Sequence, residues 1–563
     1  MNIPLKSLKV FVAIFLVLAV ASAAFFPSLK NGFVNWDDPL YVLENPAIRS
    51  FSADNILRAF DSFFVGNYQP LTILSYALDY RVHGLRPGGY HATNLFVHLA
   101  NCLLVFGLAL LLGGRVGVAC LTALLFGIHP LHAEAVAWVS GRKDVLYAFF
   151  FFGALLCYVR YLKSGGDRRC YYAALVFFLC ALLSKAMAVT LPLVLFLLDR
   201  YAGRKEGRLV WADKVPFFVL ALIFGVVALS AQHAAGAVRP GGAAALADKI
   251  PVALFSVLFY LYKTVWPVSL SNLYAYFVVP KGSFALFSFL ILCAAGGVVL
   301  LSWRARRSRV FVFGGLFFLV TLLPVLQFVS LGAIIVAERY MYVPLFGIVY
   351  GLSEGMSRLC PRGCARRRGS ACLALAILAA AALGALTWER CAVWKDSGTL
   401  WRDVLAHYPR SPIALNDLGT FYAGEGRLEE AAGLFRAAVA VDPVFADANN
   451  NLCKAETRLG RTAEALAACG RAIDVDPRHA ESHVLLGLLY YRQGDLEAAA
   501  AAFGEALAVD PGCAAAYNDL GILAAKAGRR GEAAALFKTA LALEARNPEA
   551  RRNLALVAQT PAP

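Results

Sequence analysis

Apolar segments recur through the first two-thirds of the chain, separated by short polar or basic breaks. Twenty uncharged residues lie between Lys9 and Lys30, enough to cross a bilayer as one helix. Further spans are predicted at about 92–112, 116–137, 145–162, 170–184, 187–199, 215–233, 284–303, 310–332, 340–357 and 370–388. Lys185 interrupts the apolar run that begins near 170. A lysine at membrane depth is costly unless it faces a cavity, so two short helices meeting at a polar turn are expected there. Residues 250–266 form another apolar stretch, bounded by Tyr260, Tyr262, Lys263 and Trp266. It is expected to lie at the outer interface or to re-enter the membrane. Between Lys30 and Tyr90 the pattern gives a long polar-aromatic loop, with a short amphipathic surface helix over 51–64.

The period changes near residue 390. Pro409, Pro443, Pro477 and Pro511 recur every 34 residues. Gly419, Gly487 and Gly521 share a register in which Cys453 takes the remaining place, and Phe435, Phe503 and Phe537 share one in which Cys469 does. Alanines at 431, 465, 499 and 533 and at 438, 472, 506 and 540 complete the pattern. This is the tetratricopeptide helix–turn–helix period, whose small residues let paired helices approach closely. Stacked repeats form a concave groove suited to peptide or protein partners. The expected domains are a membrane domain over 1–388 with an outer loop at 30–90, a connecting half-repeat over 389–411, and a repeat domain over 412–563. The fold class is all-α.

Composition supports the membrane assignment. Of 563 residues 60% are hydrophobic and only 16% charged, against about 25% charged in ordinary soluble domains. A formal charge of +16 would indicate nucleic acid in a soluble protein. Here the basic residues cluster between apolar spans, and no nucleic-acid partner is expected. Lys6 and Lys9, Arg115, Arg160–Arg169, Arg200–Lys214, Arg304–Arg309 and Arg358–Arg368 all fall on one side of eleven spans. That side is cytoplasmic by the positive-inside rule, which puts the Asp37-Asp38 loop and the repeats outside. Lys6, Lys9 and Ala21-Ser22-Ala23 also fit a cleavable signal, but the many later spans favour a retained anchor. The thirteen cysteines include no CxxC pair and mostly read as small buried hydrophobes. Cys453 and Cys469 could pair in an oxidising compartment.

Candidate chemistry gathers on the outer side. Asp37 and Asp38 follow Trp36 and precede Pro39. Adjacent carboxylates can tune each other's proton affinity for acid–base work, and a turn or helix cap is the plainer role. His129, His132 and Glu134 have metal-ligand spacing without a second ligand set, so capping or hydrogen bonding at the end of a span is the favoured reading. Arg142, Lys185 and Arg339 place three cations at outer boundaries. They could meet a lipid-linked phosphate, or snorkel, or pair with Glu134, Asp144 or Glu338.

Several motifs occur in order: Asn35-Trp36-Asp37-Asp38, Gln69-Pro70-Leu71, Tyr90-His91-Ala92-Thr93-Asn94 with His98, the run from His129 to Arg142, Leu183-Ser184-Lys185, Trp266-Pro267 and Ala337-Glu338-Arg339-Tyr340. With the repeats behind them, the chain resembles the transmembrane-and-tetratricopeptide-repeat family of O-mannosyltransferases and its bacterial relatives. The resemblance implies a GT-C-type transmembrane helical domain followed by the repeat solenoid, in a bacterial inner membrane with periplasmic repeats. It implies transfer of a mannose-like sugar from a polyprenyl-phosphate donor to a hydroxyl acceptor, a protein Ser or Thr. Asp37 and Asp38 are then the catalytic pair, with Asp37 favoured as base because Trp36 could partly desolvate it. Arg339, Lys185 and Arg142 are expected at the donor phosphate, and His129, His132, Glu134, Glu338 and Tyr340 as supporting residues. No metal is required, although Asp37-Asp38 could take a divalent cation. The chain has Gln69-Pro70 where the family often has Arg-Pro, and Ser184-Lys185-Ala186 in place of Ser-Lys-Glu. The alternatives are a transporter or polymerase of lipid-linked glycans and a membrane-anchored scaffold.

Overall fold

The computed structural model describes residues 5–204, 207–236, 246–275, 308–328, 334–359 and 366–559. It divides into two compact units, Met1–Leu400 and Trp401–Pro563. The expected span 284–303 and the basic residues Arg304–Arg307 and Arg362 lie outside the described residues.

The first unit is a stack of apolar helices. Those over Ser7–Lys30, Pro87–Gly113, Val139–Lys163, Val210–Ala234 and Leu373–Val393 are each long and apolar enough to cross a membrane. Val116–Gly127 and Pro130–Ala137 make a sixth crossing if taken together, bent by 54°. A single span was expected over 116–137. The bend falls at His129-Pro130, where proline has no N–H for the helical ladder. The helix Arg168–Ser184 stops at Lys185, whose backbone is extended (φ −162°, ψ 133°). A 3-10 turn, Ala186–Thr190, leads into Leu191–Ala202. These two helices meet at a polar break as expected, and each is shorter than the roughly 20 residues of a full crossing.

The stretch from 30 to 90, expected to be a loop with one short helix over 51–64, carries that helix at Ala53–Asp61 and a further one at Pro70–His83. Ala53–Asp61 is capped by the Ser52 hydroxyl, and Pro70–His83 starts with proline in its first turn and ends at Gly84, which takes φ +61°. Tyr41, Ile48, Ile73, Tyr76, Tyr90 and Val139 close over one another as a small core. Full burial of side chains this size contributes about 1.5–3 kcal/mol each, which explains why the segment folds although its hydrophobic period is irregular. Its start is tied to the end of the last long helix of this unit. Asn31 donates to the Cys391 carbonyl at 3.0 Å, and the Gly32 N–H donates to the Lys395 carbonyl at 2.8 Å. Tyr274–Ala275 pairs antiparallel with Ile334–Val336, and this short ladder delivers the chain into Ala337–Met341.

The second unit is the repeat array. Its helix pairs are Pro412–Gly424 with Leu428–Val441, Ala446–Leu459 with Thr462–Val475, Ala480–Gln493 with Leu496–Val509, and Ala514–Lys526 with Arg530–Leu543, followed by Pro548–Gln559. A side chain on Gly419, Gly487 or Gly521 would come within 2.6, 2.5 and 2.6 Å of the Phe435, Phe503 and Phe537 rings. The glycine is the hole and the phenylalanine the knob. In the remaining repeat a Cys453–Cys469 disulfide fills the same place. Two departures from the 34-residue pattern are therefore one substitution of a covalent link for a packed ring.

Gly521→Ala should lower repeat-domain stability by roughly 1–3 kcal/mol through overpacking against Phe537, read as a shift in thermal unfolding. Reduction of Cys453–Cys469 should cost on the order of 3 kcal/mol for a loop of this length. No shift in melting temperature with reductant would mean that the link contributes nothing.

Candidate active site

Asp38 anchors the site. It is fully buried, and its carboxyl accepts from the Val34 N–H at 3.0 Å, the Ser140 N–H at 3.0 Å and the Ser140 hydroxyl. Burial pushes its pKa from 3.8 up to about 7, against the pull of the Ser140 and Val34 hydrogen bonds. Asp38 thus fastens the first loop to the break between Trp138 and the helix Arg142–Lys163. Asp37 points elsewhere. Its Oδ2 accepts from Lys143 Nζ at 3.1 Å, and its side chain is 23% exposed. The residue that burial desolvates is Asp38, while Asp37 keeps access to solvent. The two carboxylates have separate partners, and no group of three His, Cys, Asp or Glu side chains is placed to hold a metal among the described residues.

Arg142 and Lys143 are neighbours in sequence that turn to different tasks. Arg142, expected at the donor phosphate, is fully buried. Its guanidinium donates to Asp79 at 2.6 Å, to the Tyr90 carbonyl at 2.9 Å, to the Asn94 side chain and to Ser75. That is a core ion pair, which stiffens the packing under the site. Lys143 instead rises beside Asp37, over the Tyr41 and Trp138 rings at 4.8 and 5.2 Å.

From Lys143 a line of cations and rings runs across the site. Trp138 also faces the Arg339 guanidinium at 5.6 Å, and Tyr340 lies between Arg339 at 5.1 Å and Lys185 at 5.4 Å. Each cation has one acid partner: Asp37 for Lys143, Glu134 for Arg339 and Asp144 for Lys185. Glu134 also accepts the Arg339 N–H at 2.8 Å, so it sets the backbone of the Ala337–Met341 turn. The side chains of Lys185 and Arg339 remain 13% and 11% exposed. The three cations share two rings, and the ring quadrupoles together with the fixed acids hold close charges that would otherwise repel.

The other expected residues stand behind this line. His129 caps the turn at Pro130 through Leu131 N–H and bonds the Thr264 carbonyl at 3.0 Å. His132 packs on Tyr342 and Phe126 with ring centres 4.4 and 4.5 Å away. Glu338 is buried and accepts from the Tyr274 hydroxyl at 3.0 Å. His129, His132 and Glu134 therefore do not converge on one point. Ala186, where an acid was the expected family pattern, opens the 3-10 turn, and Asp144 on another helix supplies the partner of Lys185. The sequence marks Ser140 to Asp144 as one charged cluster and offers Asp144 as an ion-pair partner, but it assigns no separate role to Trp138, Ser140 or Lys143. All four lie in the run that carried Arg142, and their alternation at a helix start was the available signal.

Long apolar helices, buried ion pairs among them and a tetratricopeptide tail define a helical integral membrane protein with a repeat domain. Residues 395–451, 451–512, 484–548 and 518–559 match the tetratricopeptide repeat family. The chain is 26% identical to Protein O-mannosyl-transferase Tmtc1 of Drosophila melanogaster, covering 77% of this chain and 62% of that one. It is 24% identical to Protein O-mannosyl-transferase TMTC3 of Homo sapiens, covering 80% and 53%, and 33% identical to Protein O-mannosyl-transferase TMTC1 of Mus musculus over 32% and 21%. The chain is a relative of these transmembrane-and-tetratricopeptide-repeat proteins, as the motifs implied, and spans little more than half the length of those it matches most fully. A tetratricopeptide protein of Thermus thermophilus is 25% identical, covering 32% of this chain and 95% of that one at a TM-score of 0.27.

Asp38 gives a pH test. A carboxyl whose folded pKa is raised stabilises the fold below its unfolded value and loses that contribution as pH climbs through about 7. The melting temperature of the wild type should fall relative to that of Asp38→Asn between pH 4 and 8. Parallel melting curves would show that Asp38 does not titrate in that window.

Proposed function

We propose that this protein is a membrane glycosyltransferase that moves a mannose-like sugar from a polyprenyl-phosphate donor to a hydroxyl of a protein acceptor on the outer face. The observation that carries the reading is the accessible carboxylate of Asp37 at one end of the line of three cations. It agrees with the O-mannosyl-transferase names of the similar proteins.

The acceptor oxygen attacks the anomeric carbon while Asp37 takes its proton. The bond from that carbon to the phosphate oxygen breaks, and the charge left on the lipid phosphate is met by Arg339 and Lys185. Lys143 orients Asp37, and Asp38, which cannot reach a ligand, holds the loop. Arg142 serves the scaffold instead of the phosphate. The reaction needs only a nucleophile, a base and an anion receptor, and the residues supply the last two.

The repeats fit an acceptor-binding role. Asn416, Asp417, Thr420, Asn450, Asn451 and Lys454 line a polar hollow of about 230 Å³, and side-chain amides there match the donors and acceptors of a peptide backbone. The Cys453–Cys469 link suits an oxidising compartment, which agrees with periplasmic repeats on an inner membrane protein.

Asp37→Asn takes the acid partner from Lys143 and should lower the melting temperature, and in the folded protein it should slow sugar transfer by roughly a hundredfold, the scale for losing a general base. Wild-type turnover in that folded variant would return the protein to the scaffold or transport readings. Removing Arg339 alone would strand Glu134 as a buried charge, so Arg339→Gln with Glu134→Gln is the cleaner variant. Its donor affinity should fall by about 2 kcal/mol, measured by titration with a polyprenyl-phosphate sugar. Unchanged donor affinity would place the phosphate elsewhere.

A further inference from the structure

A second charged cavity lies at the far end of the same helices. The helix Arg142–Lys163 begins at the site and runs about 33 Å for its 22 residues. Near its other end the Tyr158 hydroxyl donates to Asp199 at 2.8 Å. Likewise Leu191–Ala202 starts just past the Lys185 break and ends beside this cavity. The cavity encloses about 620 Å³, and its lining includes Phe196, Arg200, Arg204, Trp211, Arg309 and Phe313.

The charges there do not cancel. Asp199 is taken by Lys214 and Arg204, and Asp213 accepts from Arg204 at 2.6 Å. These contacts fasten Arg204 in place with its side chain 25% exposed. Arg200 and Arg309 are exposed and form no ion pair among the described residues. They come from two helices, at 191–202 and 309–322, that pack together. One wall is apolar: the Phe196 and Trp211 ring centres are 4.7 Å apart, and Trp211 is 65% exposed. A tryptophan in that condition at the end of membrane helices is an interfacial anchor. A soluble anion has no use for the apolar wall. An anionic headgroup with acyl chains uses both parts, the phosphate on the arginines and the chains along Phe196, Trp211 and Phe313.

We infer that the cavity at Arg200, Arg204 and Arg309 binds the phosphodiester headgroup of an anionic membrane lipid, at the membrane face opposite Asp37. The inference is independent of sugar transfer. It depends on the helices crossing a membrane and on two arginines without acid partners among the described residues.

The test uses the full chain in nanodiscs of phosphatidylcholine, alone or with phosphatidylglycerol. Phosphatidylglycerol should raise the melting temperature of the wild type above its value in phosphatidylcholine, and native mass spectrometry should show it retained. Arg200→Gln with Arg309→Gln should weaken that retention roughly tenfold or more and remove the increment, and Arg200→Lys with Arg309→Lys should restore most of it. The lysine pair guards against a variant that merely misfolds. Equal increments in the wild type and the glutamine pair would overturn the inference, as would equal melting in the two lipids. Inorganic phosphate at millimolar concentration should have no effect, and a matching increment from it would replace the lipid with a soluble anion.

Discussion

Asp38 is a carboxyl group cut off from water, and the geometry of the membrane unit depends on how it is held. Three donors from two distant segments converge on it, from Val34 on one side and Ser140 on the other. An unsatisfied carboxyl in that position would be severely destabilising, so the first loop can take only the path that brings it to Ser140. Asp37, one residue earlier, is thereby presented to Lys143. In the proposed reaction, precision at an exposed carboxylate is supplied by a neighbour that never meets a ligand.

The same low-dielectric surroundings govern the cations. Burying Arg142, Lys143, Lys185 and Arg339 without acids would cost several kcal/mol apiece, and each has one: Asp79, Asp37, Asp144 and Glu134. What separates them is exposure. The Arg142 side chain is wholly enclosed and acts as a rivet. The side chains of the other three keep a small exposed fraction and share the Trp138 and Tyr340 rings. Adjacent residues 142 and 143 thus fall into different classes because successive side chains on a helix diverge by about 100°.

The repeat unit follows another constraint, close approach. Its helices pair through glycine against phenylalanine, and one pair has exchanged that contact for a disulfide. Both devices hold two helices together, one by shape and the other by a covalent link. The exchange couples the integrity of that repeat to the redox state of its compartment.

Much of this was legible in the chain alone. Long apolar runs can end only as buried or membrane helices, a 34-residue period with small residues can pack only as stacked helix pairs, and Lys185 in an apolar run had to mark a break. These features are local, and local sequence determines them. The short helix Ala53–Asp61 was local too, whereas Pro70–His83 is held by residues far apart in sequence that close into one core. The enclosure of Arg142 against Asp79 and the pairing of Lys143 with Asp37, the desolvation of Asp38 in place of Asp37, and the pairing of Glu134 with Arg339 across 205 residues were decided by tertiary structure. Burial and ion pairing depend on which segments meet, and a charge in a sequence carries no record of its distance to the next one in space.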